Sequence, residues 1–330
     1  MNEFDLIAKL AHHAHAAPSD LVCGIGDDCA VIRDGARDLL ITTDAYVECV
    51  HFTHAYIDDQ TLGKRLFHAT ASDIAAMGGI PRFLVICLGI ARDFGPERCD
   101  TLYHGLCTAA EEQGAALIGG DTVSSPHALT CALTMLGEVD AGKAILRGGA
   151  RAGDVLYVTG TLGDAALGLA CLARNLDDAA ALPFIERYRL PTARLAAGQW
   201  LRMTGMVTSM IDVSDGLLAD IGHLADASKT GYELLIDRVP RRGDFEQVAA
   251  RLSCIPQDLI LGGGDDYELA FTVACARTDA FEHALKEELL PFDHAITRIG
   301  TILEDAAHRI ARFDNGSVYT GTRTGYVHHV

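Results

Sequence analysis

Lysine is scarce in this chain: there are five in 330 residues, and the net charge is −18. A nucleic-acid backbone demands clustered Lys and Arg, so a nucleic-acid partner is not expected. Phosphate-bearing small molecules stay open, provided that metal ions supply the missing positive charge. The ten cysteines include no Cys-x-x-Cys pair, the two nearest being Cys23 and Cys29. That spacing argues against zinc or iron–sulfur ligation, and a disulfide framework is not expected in a chain this long. Apolar runs as long as ~18 residues are missing, so no membrane span is expected. The start, "MNEFDLIAKLAHHAHAA", has no cationic segment followed by an apolar one, so no signal peptide is expected. These absences describe a reduced, soluble, cytoplasmic protein.

The familiar nucleotide motifs are missing too. "GEVDAGKA" (137–144) starts like a P-loop, but Ala144 replaces the hydroxyl that would meet Mg²⁺, and Glu138 and Asp140 would repel phosphates; it reads as a hairpin turn. "GIGDDC" is not Gly-x-Gly-x-x-Gly, and no His-Arg-Asp or Asp-Phe-Gly kinase signature occurs.

What is present is an α/β pattern long enough for two domains. Residues 4–17 suit a short helix, and "DLLITTDAYV" a strand. "DQTLGKRLFHATASDIAAMGG" has helical spacing, with Gly78-Gly79 as its stop. "RFLVICLGI", "AALIGGD" and "HALTCALTMLGEV" read as strands around a helix from about Pro96 to Gln113. The Gly- and Arg-rich "RGGARAGD" (147–154) marks a boundary between domains at 1–146 and 147–330. Beyond it, "DVLYVTG", "MVTSMIDV", "YELLID" and "YELAFTV" are strands, interleaved with helices near Gly163, in "PTARLAAGQWLRMTG" and in "DGLLADIGHLADASKTG". A further helix and two strands finish the chain.

Acids recur at the ends of these elements, in "GIGDDCAVI", "LLITTDAYV", "ATASDIAAMGG", "ALIGGDTVSS", "SMIDVSDGLLAD" and "LILGGGDDYELAF". One such acid is ordinary: Asp215, ahead of "GLLADIGHL", also suits an N-cap, and Gly-Asp pairs make turns. Asp73 is different, because it interrupts an apolar helical segment and a buried carboxylate there requires a cation or several donors. Carboxylates with neighbouring Thr42, Thr43 and Ser214 hydroxyls are hard oxygen ligands, which favour Mg²⁺; the spacing does not fit an EF-hand. Mg²⁺ takes few carboxylates per ion and completes its shell with water and substrate phosphates, so many acids imply several ions and a phosphate-rich ligand. Phosphoryl transfer fits, since its catalysis is mostly positioning and charge neutralisation.

These segments, with "RGGARAGDVLYVTGTLGDAALGL" and the late "GYVHH", resemble the thiamine-monophosphate kinases of the aminoimidazole-ribonucleotide synthetase-like superfamily, in family order over nearly the whole chain. The resemblance implies a two-domain α/β (α+β) fold and a homodimer joined through the N-terminal domains, whose sheets pair. It implies transfer of the ATP γ-phosphoryl group to thiamine monophosphate. By matching position, Asp28, Thr42, Thr43, Asp44, Asp73, Asp121, Asp212 and Asp215 correspond to Mg²⁺ ligands. Tyr103, Gly120, Asp121, Arg147 and Ser214 correspond to ATP contacts, and His51, Asp265 and Tyr326 to thiamine-phosphate contacts. No catalytic nucleophile from the protein is implied. One departure stands out: Asp265 occupies the place of a family Glu, so its carboxylate is one methylene shorter.

Two rival readings remain. A sister enzyme on the same scaffold would be a selenophosphate or aminoimidazole-ribonucleotide synthetase, or a hydrogenase-maturation dehydratase. The first is expected to carry a reactive Cys in a Gly-rich N-terminal segment, a character that the segment around Cys23 lacks; the last is expected to end in Cys, and this chain ends "VHHV". A non-catalytic acidic metal-binding protein would explain the carboxylates but not Arg147. His12, His13 and His15 read as a solvated helix face, His328 and His329 as tail, and Asp58-Asp59 and Asp177-Asp178 as solvated loop acids.

Overall fold

The computed structural model describes residues 3–14, 18–321 and 325–326. The first half runs α1 (Glu3–Ala11), β1 (Leu21–Cys23), β2 (Ala30–Asp34), β3 (Arg37–Val47), α2 (Asp59–Ala76), β4 (Ile80–Ile90), α3 (Pro96–Glu112), β5 (Ala116–Ser124) and β6 (Thr130–Asp140). The second half runs β7 (Val155–Thr159), α4 (Asp164–Ala173), α5 (Leu182–Arg189), α6 (Leu195–Thr204), β8 (Val207–Val213), α7 (Leu217–Ser228), β9 (Gly231–Leu235), α8 (Phe245–Arg251), α9 (Pro256–Gly262), β10 (Glu268–Val273), α10 (Thr278–Glu287), β11 (Ile296–Leu303) and β12 (Arg309–Arg312).

Each half builds one six-stranded mixed sheet, ordered β1-β2-β3-β6-β4-β5 and β12-β9-β11-β7-β10-β8. In the first, β3 pairs with β6 over its full length, and β4 pairs parallel with β5 after crossing over through α3. In the second, every residue of β7 and β10 is buried, as expected of central strands covered on both faces. No helix among the described residues is long and apolar enough to cross a membrane.

Helix α2 places the first half against the second. The Asp58 carboxylate caps it by accepting the Thr61 N–H at 2.8 Å, and Gly78, at φ +68°, lets the chain leave it. Small residues along α2 let neighbours come close on several sides. A Cβ on Gly63 would stand 2.0 Å from the Leu102 carbonyl oxygen of α3, so only glycine fits at that crossing. The helix also packs against β3, β6 and β8, which puts it between the two sheets with Asp73 inside.

Several sequence expectations change. Asp58 and Asp59 are not solvated loop acids: Asp58 is the α2 cap, and Asp59 accepts two 2.8 Å bonds from Arg98. Asp178 is also engaged, accepting the Ala180 and Ala181 amides at 3.2 Å and pairing with Arg251. Asp215 is not the α7 N-cap; that place belongs to Gly216, whose N–H donates to Asp220 at 3.0 Å. Helices α5, α8 and α9 were not legible, being short and lacking a sustained period. "GEVDAGKA" runs from the end of β6 into a turn with no following helix, which agrees with rejecting a P-loop. His12 and His13 lie just past α1 and are exposed, while His15, His328 and His329 fall outside the described residues.

Candidate functional site

A cavity of about 720 Å³ opens between the halves, lined by β3, α2, the end of β8, the loop before β10 and Tyr326. Its inner wall is acidic. Oxygens of Asp28, Asp73 and Asp212 all lie within 4.8 Å of one another, brought together from the turn before β2, from α2 and from β8. Alternation along β3 turns Thr42 and Asp44 toward α2. There the Thr42 hydroxyl donates to Asp73, and the Tyr46 hydroxyl lies 3.4 Å from Asp44.

Among the described residues, one cation meets this cluster directly. Arg147 donates from Nη2 to Asp28 Oδ1 at 2.5 Å and from Nε at 3.1 Å, and its backbone N–H donates to Asp27 at 3.0 Å. A single guanidinium cannot compensate several buried carboxylates, and the proton affinities reflect that. Burial pushes Asp73 well above the usual carboxylate range, helped by Asp44, Asp212 and Asp28. Burial and then Asp28 push Asp212 up to about 8 and Asp27 to about 6. Burial raises Asp44 and Asp28 too, the latter against the pull of Arg147. Asp28 Oδ2 is buried without a hydrogen-bond partner among the described residues. Three converging carboxylates, Asp28 and Asp212 buried and Asp73 half-buried, one of them with an orphaned oxygen, fit a hard divalent cation.

The other sequence candidates divide into three groups. Asp215, Ser214, His51, Asp265 and Tyr326 line the same cavity. His51 Nδ1 accepts the Val47 N–H at 3.0 Å, so a neutral ring carries its proton on Nε2. The Tyr326 N–H donates to the Asp215 carbonyl at 2.9 Å, and the Asp265 N–H to the Ser214 carbonyl at 2.8 Å. Thr43 touches the cavity edge, but its hydroxyl lies on the opposite face of β3, 2.9 Å from that of Thr134.

Gly120, Asp121 and Tyr103 are elsewhere. Asp44 lies opposite Leu133, Leu133 opposite Ile86, and Ile86 opposite Gly120. That is three strand steps, about 14 Å at 4.8 Å per step, so Asp121 does not join the carboxylate cluster within one chain. It sits exposed on β5, the last strand of its sheet, and Tyr103 of α3 lies against the neighbouring Thr122.

Sequence reasoning missed the far end of the cavity. Arg65, Ala69 and Asp73 all line it at a spacing of four residues along α2, a helical period that would have marked them as one face. Phe52, Tyr56, Tyr188 and Tyr267 line the cavity as well and make it aromatic away from the acids. Their positions follow no single period, because they arrive from different elements.

Two family models cover most of the chain: AIR synthase related protein, N-terminal domain, over residues 26–139, and AIR synthase related protein, C-terminal domain, over residues 151–311. The chain is 30% identical to the thiamine-monophosphate kinase of Bacillus subtilis (strain 168), over 99% of each chain. It is 36% identical to the thiamine-monophosphate kinase of Escherichia coli (strain K12), over 92% of this chain and 91% of that one. Among solved structures, AaThiL complexed with AMPPCP and TMP superposes with a TM-score of 0.84 at 28% identity, covering 99% of this chain and 97% of that one.

Proposed function

Because the chain belongs to the thiamine-monophosphate kinase family, with AIR synthase related domains in both halves, we propose that it transfers the γ-phosphoryl group of ATP to thiamine monophosphate, giving thiamine diphosphate and ADP. The observation that carries the reading is the convergence of Asp28 with Asp73 and Asp212, the latter two lining a cavity that is also lined by aromatic side chains and by Asp265. Such a cavity suits a ligand that is a phosphate at one end and an aromatic cation at the other. The complex of the similar AaThiL with AMPPCP and TMP, an ATP analogue and a phosphate acceptor, supports the same pairing.

Asp28, Asp73 and Asp212 would hold Mg²⁺, with Asp44 and Asp215 at its margin. Bound there, Mg²⁺ supplies a Lewis acid that offsets the charge of two polyphosphate-bearing ligands. The Thr42 hydroxyl orients Asp73, and Arg147 keeps Asp28 turned into the cluster. The acceptor oxygen belongs to a phosphate and is already anionic at neutral pH, so no side chain has to remove a proton from it. The transfer is direct and in line: the new P–O bond forms on the acceptor phosphate as the bridging bond to ADP breaks. Ser214 and Arg147 stand on the nucleotide side, and His51, Asp265 and Tyr326 on the acceptor side.

Gly120, Asp121 and Tyr103 serve ATP in this reading through a homodimer joined at the N-terminal sheets. The exposed β5 edge, with Ile118 and Val123 open to solvent, supports such an interface. The domains divide at 146/147, and the protein works in the cytoplasm, where ATP is available.

The test is a mass-spectrometric assay of the purified protein with ATP, Mg²⁺ and thiamine monophosphate. Stoichiometric thiamine diphosphate and ADP, dependent on Mg²⁺, is the expected result. ATP consumption without thiamine diphosphate would point to a sister enzyme, and nucleotide binding without turnover to a metal-binding protein. A trapped phosphoprotein on the reaction path would overturn direct transfer.

A further inference from the structure

Arg65 is among the largest fully buried side chains, 2% exposed, yet it borders the cavity. Burying a guanidinium is costly, the more so because Arg65 Nε has no hydrogen-bond partner among the described residues, so the partners of its other two nitrogens show what it is there to hold. Nη1 donates to the Tyr188 carbonyl, and the guanidinium carbon lies 5.1 Å from the centroid of the Tyr188 ring. Nη2 donates to Asp265 Oδ1 at 2.8 Å. The same oxygen accepts the Tyr267 hydroxyl at 3.0 Å. Asp265 Oδ2 takes no hydrogen bond among the described residues, and the side chain is 33% exposed on the cavity wall. One carboxylate oxygen is thus clamped from behind while the other faces the space a ligand would fill.

The backbone alone does not fix this carboxylate. Asp265 has a φ of +68°, an uncommon conformation for a side chain with a Cβ, and it follows three glycines. A short aspartate on such a loop keeps its direction only if something rigid holds its head group. Arg65 is rigid because its planar fork is committed on two sides and packed against a ring.

The rest of the face follows from helical spacing. Asp73 lies eight residues beyond Arg65, about 12 Å along the axis, and Ala69 lies midway between them. Ala69 is buried, and its single methyl leaves the cavity floor low between the acidic end and the Asp265 end.

We propose that Arg65 is a positioning residue for the phosphate acceptor, fixing through Asp265 the carboxylate that meets the acceptor's cationic ring, while Ala69 keeps clear the floor between that ring and the carboxylate cluster. The inference rests on the functional reading above and deepens it. It defines the acceptor class as an aromatic cation joined to a phosphate by a short arm. A lysine at 65 keeps the charge but cannot reach the Tyr188 carbonyl and Asp265 in one plane.

The test compares steady-state kinetics of the wild-type protein with R65K, D265N, the R65K/D265N double variant and A69V, varying thiamine monophosphate and ATP separately. Calorimetric titration with thiamine monophosphate alone accompanies it. R65K is expected to raise the KM for thiamine monophosphate about tenfold, with kcat reduced less than about threefold and the KM for ATP unchanged. The double variant is expected to be no weaker than D265N, because Arg65 acts through Asp265. A69V is expected to weaken thiamine monophosphate while leaving ATP alone. A folded R65K with unchanged KM, or additive effects in the double variant, would overturn the proposal. If R65K does not fold, an unchanged KM in A69V overturns it instead. A wild-type protein that neither binds nor phosphorylates thiamine monophosphate would overturn the functional reading together with this inference.

Discussion

Arg147 reaches 119 residues back along the chain to hold Asp28, its Nη2 2.5 Å from Oδ1, with the arginine partly exposed and the carboxylate fully buried. The bond ties the loop that leads into the second half to the turn before β2. It also supplies the direct positive charge on a cluster that otherwise repels itself.

Removing that arginine strands a buried carboxylate. R147M is expected to lose about 3 kcal/mol of stability at pH 8 without metal, the lower end for breaking a buried pair. The loss should be smaller at pH 5 than at pH 8, because burial raises Asp28, the missing Arg147 no longer lowers it, and protonation relieves the need for a partner. Urea denaturation at the two pH values checks this; equal losses would mean that the pair is not electrostatic in origin.

Metal-free stability should fall with rising pH. Asp212 is pushed up to about 8 in the folded chain, against 3.8 as its ordinary value. A carboxylate with a raised folded pKa binds its proton more tightly when folded, so its contribution is complete below about pH 4 and is lost as pH rises through about 8. The melting temperature in EDTA should therefore drop between about pH 4 and 8, and D212N should flatten the drop. Saturating Mg²⁺ should flatten it as well and release protons on binding. A profile that is flat without metal would contradict the cluster's electrostatics.

Neutralising single acids separates activity from folding. D73N removes a proposed metal ligand and one acid of a mutually repelling cluster, so turnover should fall about a thousandfold or more, in keeping with several kcal/mol of metal-derived stabilisation. The metal-free variant should nevertheless melt no lower than wild type at neutral pH. A large loss of stability would show that Asp73 serves the fold instead.

The α2–α3 crossing offers a purely steric test. G63A would put a Cβ 2.0 Å from the Leu102 carbonyl oxygen, a backbone atom that cannot swing aside. A loss of about 2 kcal/mol is expected, within the range for overpacking. Because α2 also carries Arg65 and Asp73, the KM for thiamine monophosphate should rise with it.

Much of this arrangement was legible before any fold was known, because local rules govern it. Strand alternation, the glycine stop at Gly78 and the run of acids beside glycines are written within a few residues of one another, whereas the cap at Asp58 was read as a solvated loop acid. Asp73 announced itself as a polar interruption of an apolar helix. The expectation of a hard-cation site rests on residue type alone, since carboxylates and hydroxyls favour Mg²⁺ over softer metals.

Tertiary structure alone decided which of those acids meet. Asp28, Asp73 and Asp212 converge because α2 lies between two sheets formed from different halves of the chain, and no local spacing relates them. The same packing turned Thr43 away through the two-residue period of β3 and left Asp121 three strands distant on an exposed edge. It also set Arg65 behind Asp265, a contact between a helix and a loop 200 residues apart in number. Local chemistry specifies what a side chain can do; the long-range burial that folds the chain specifies which side chains do it together.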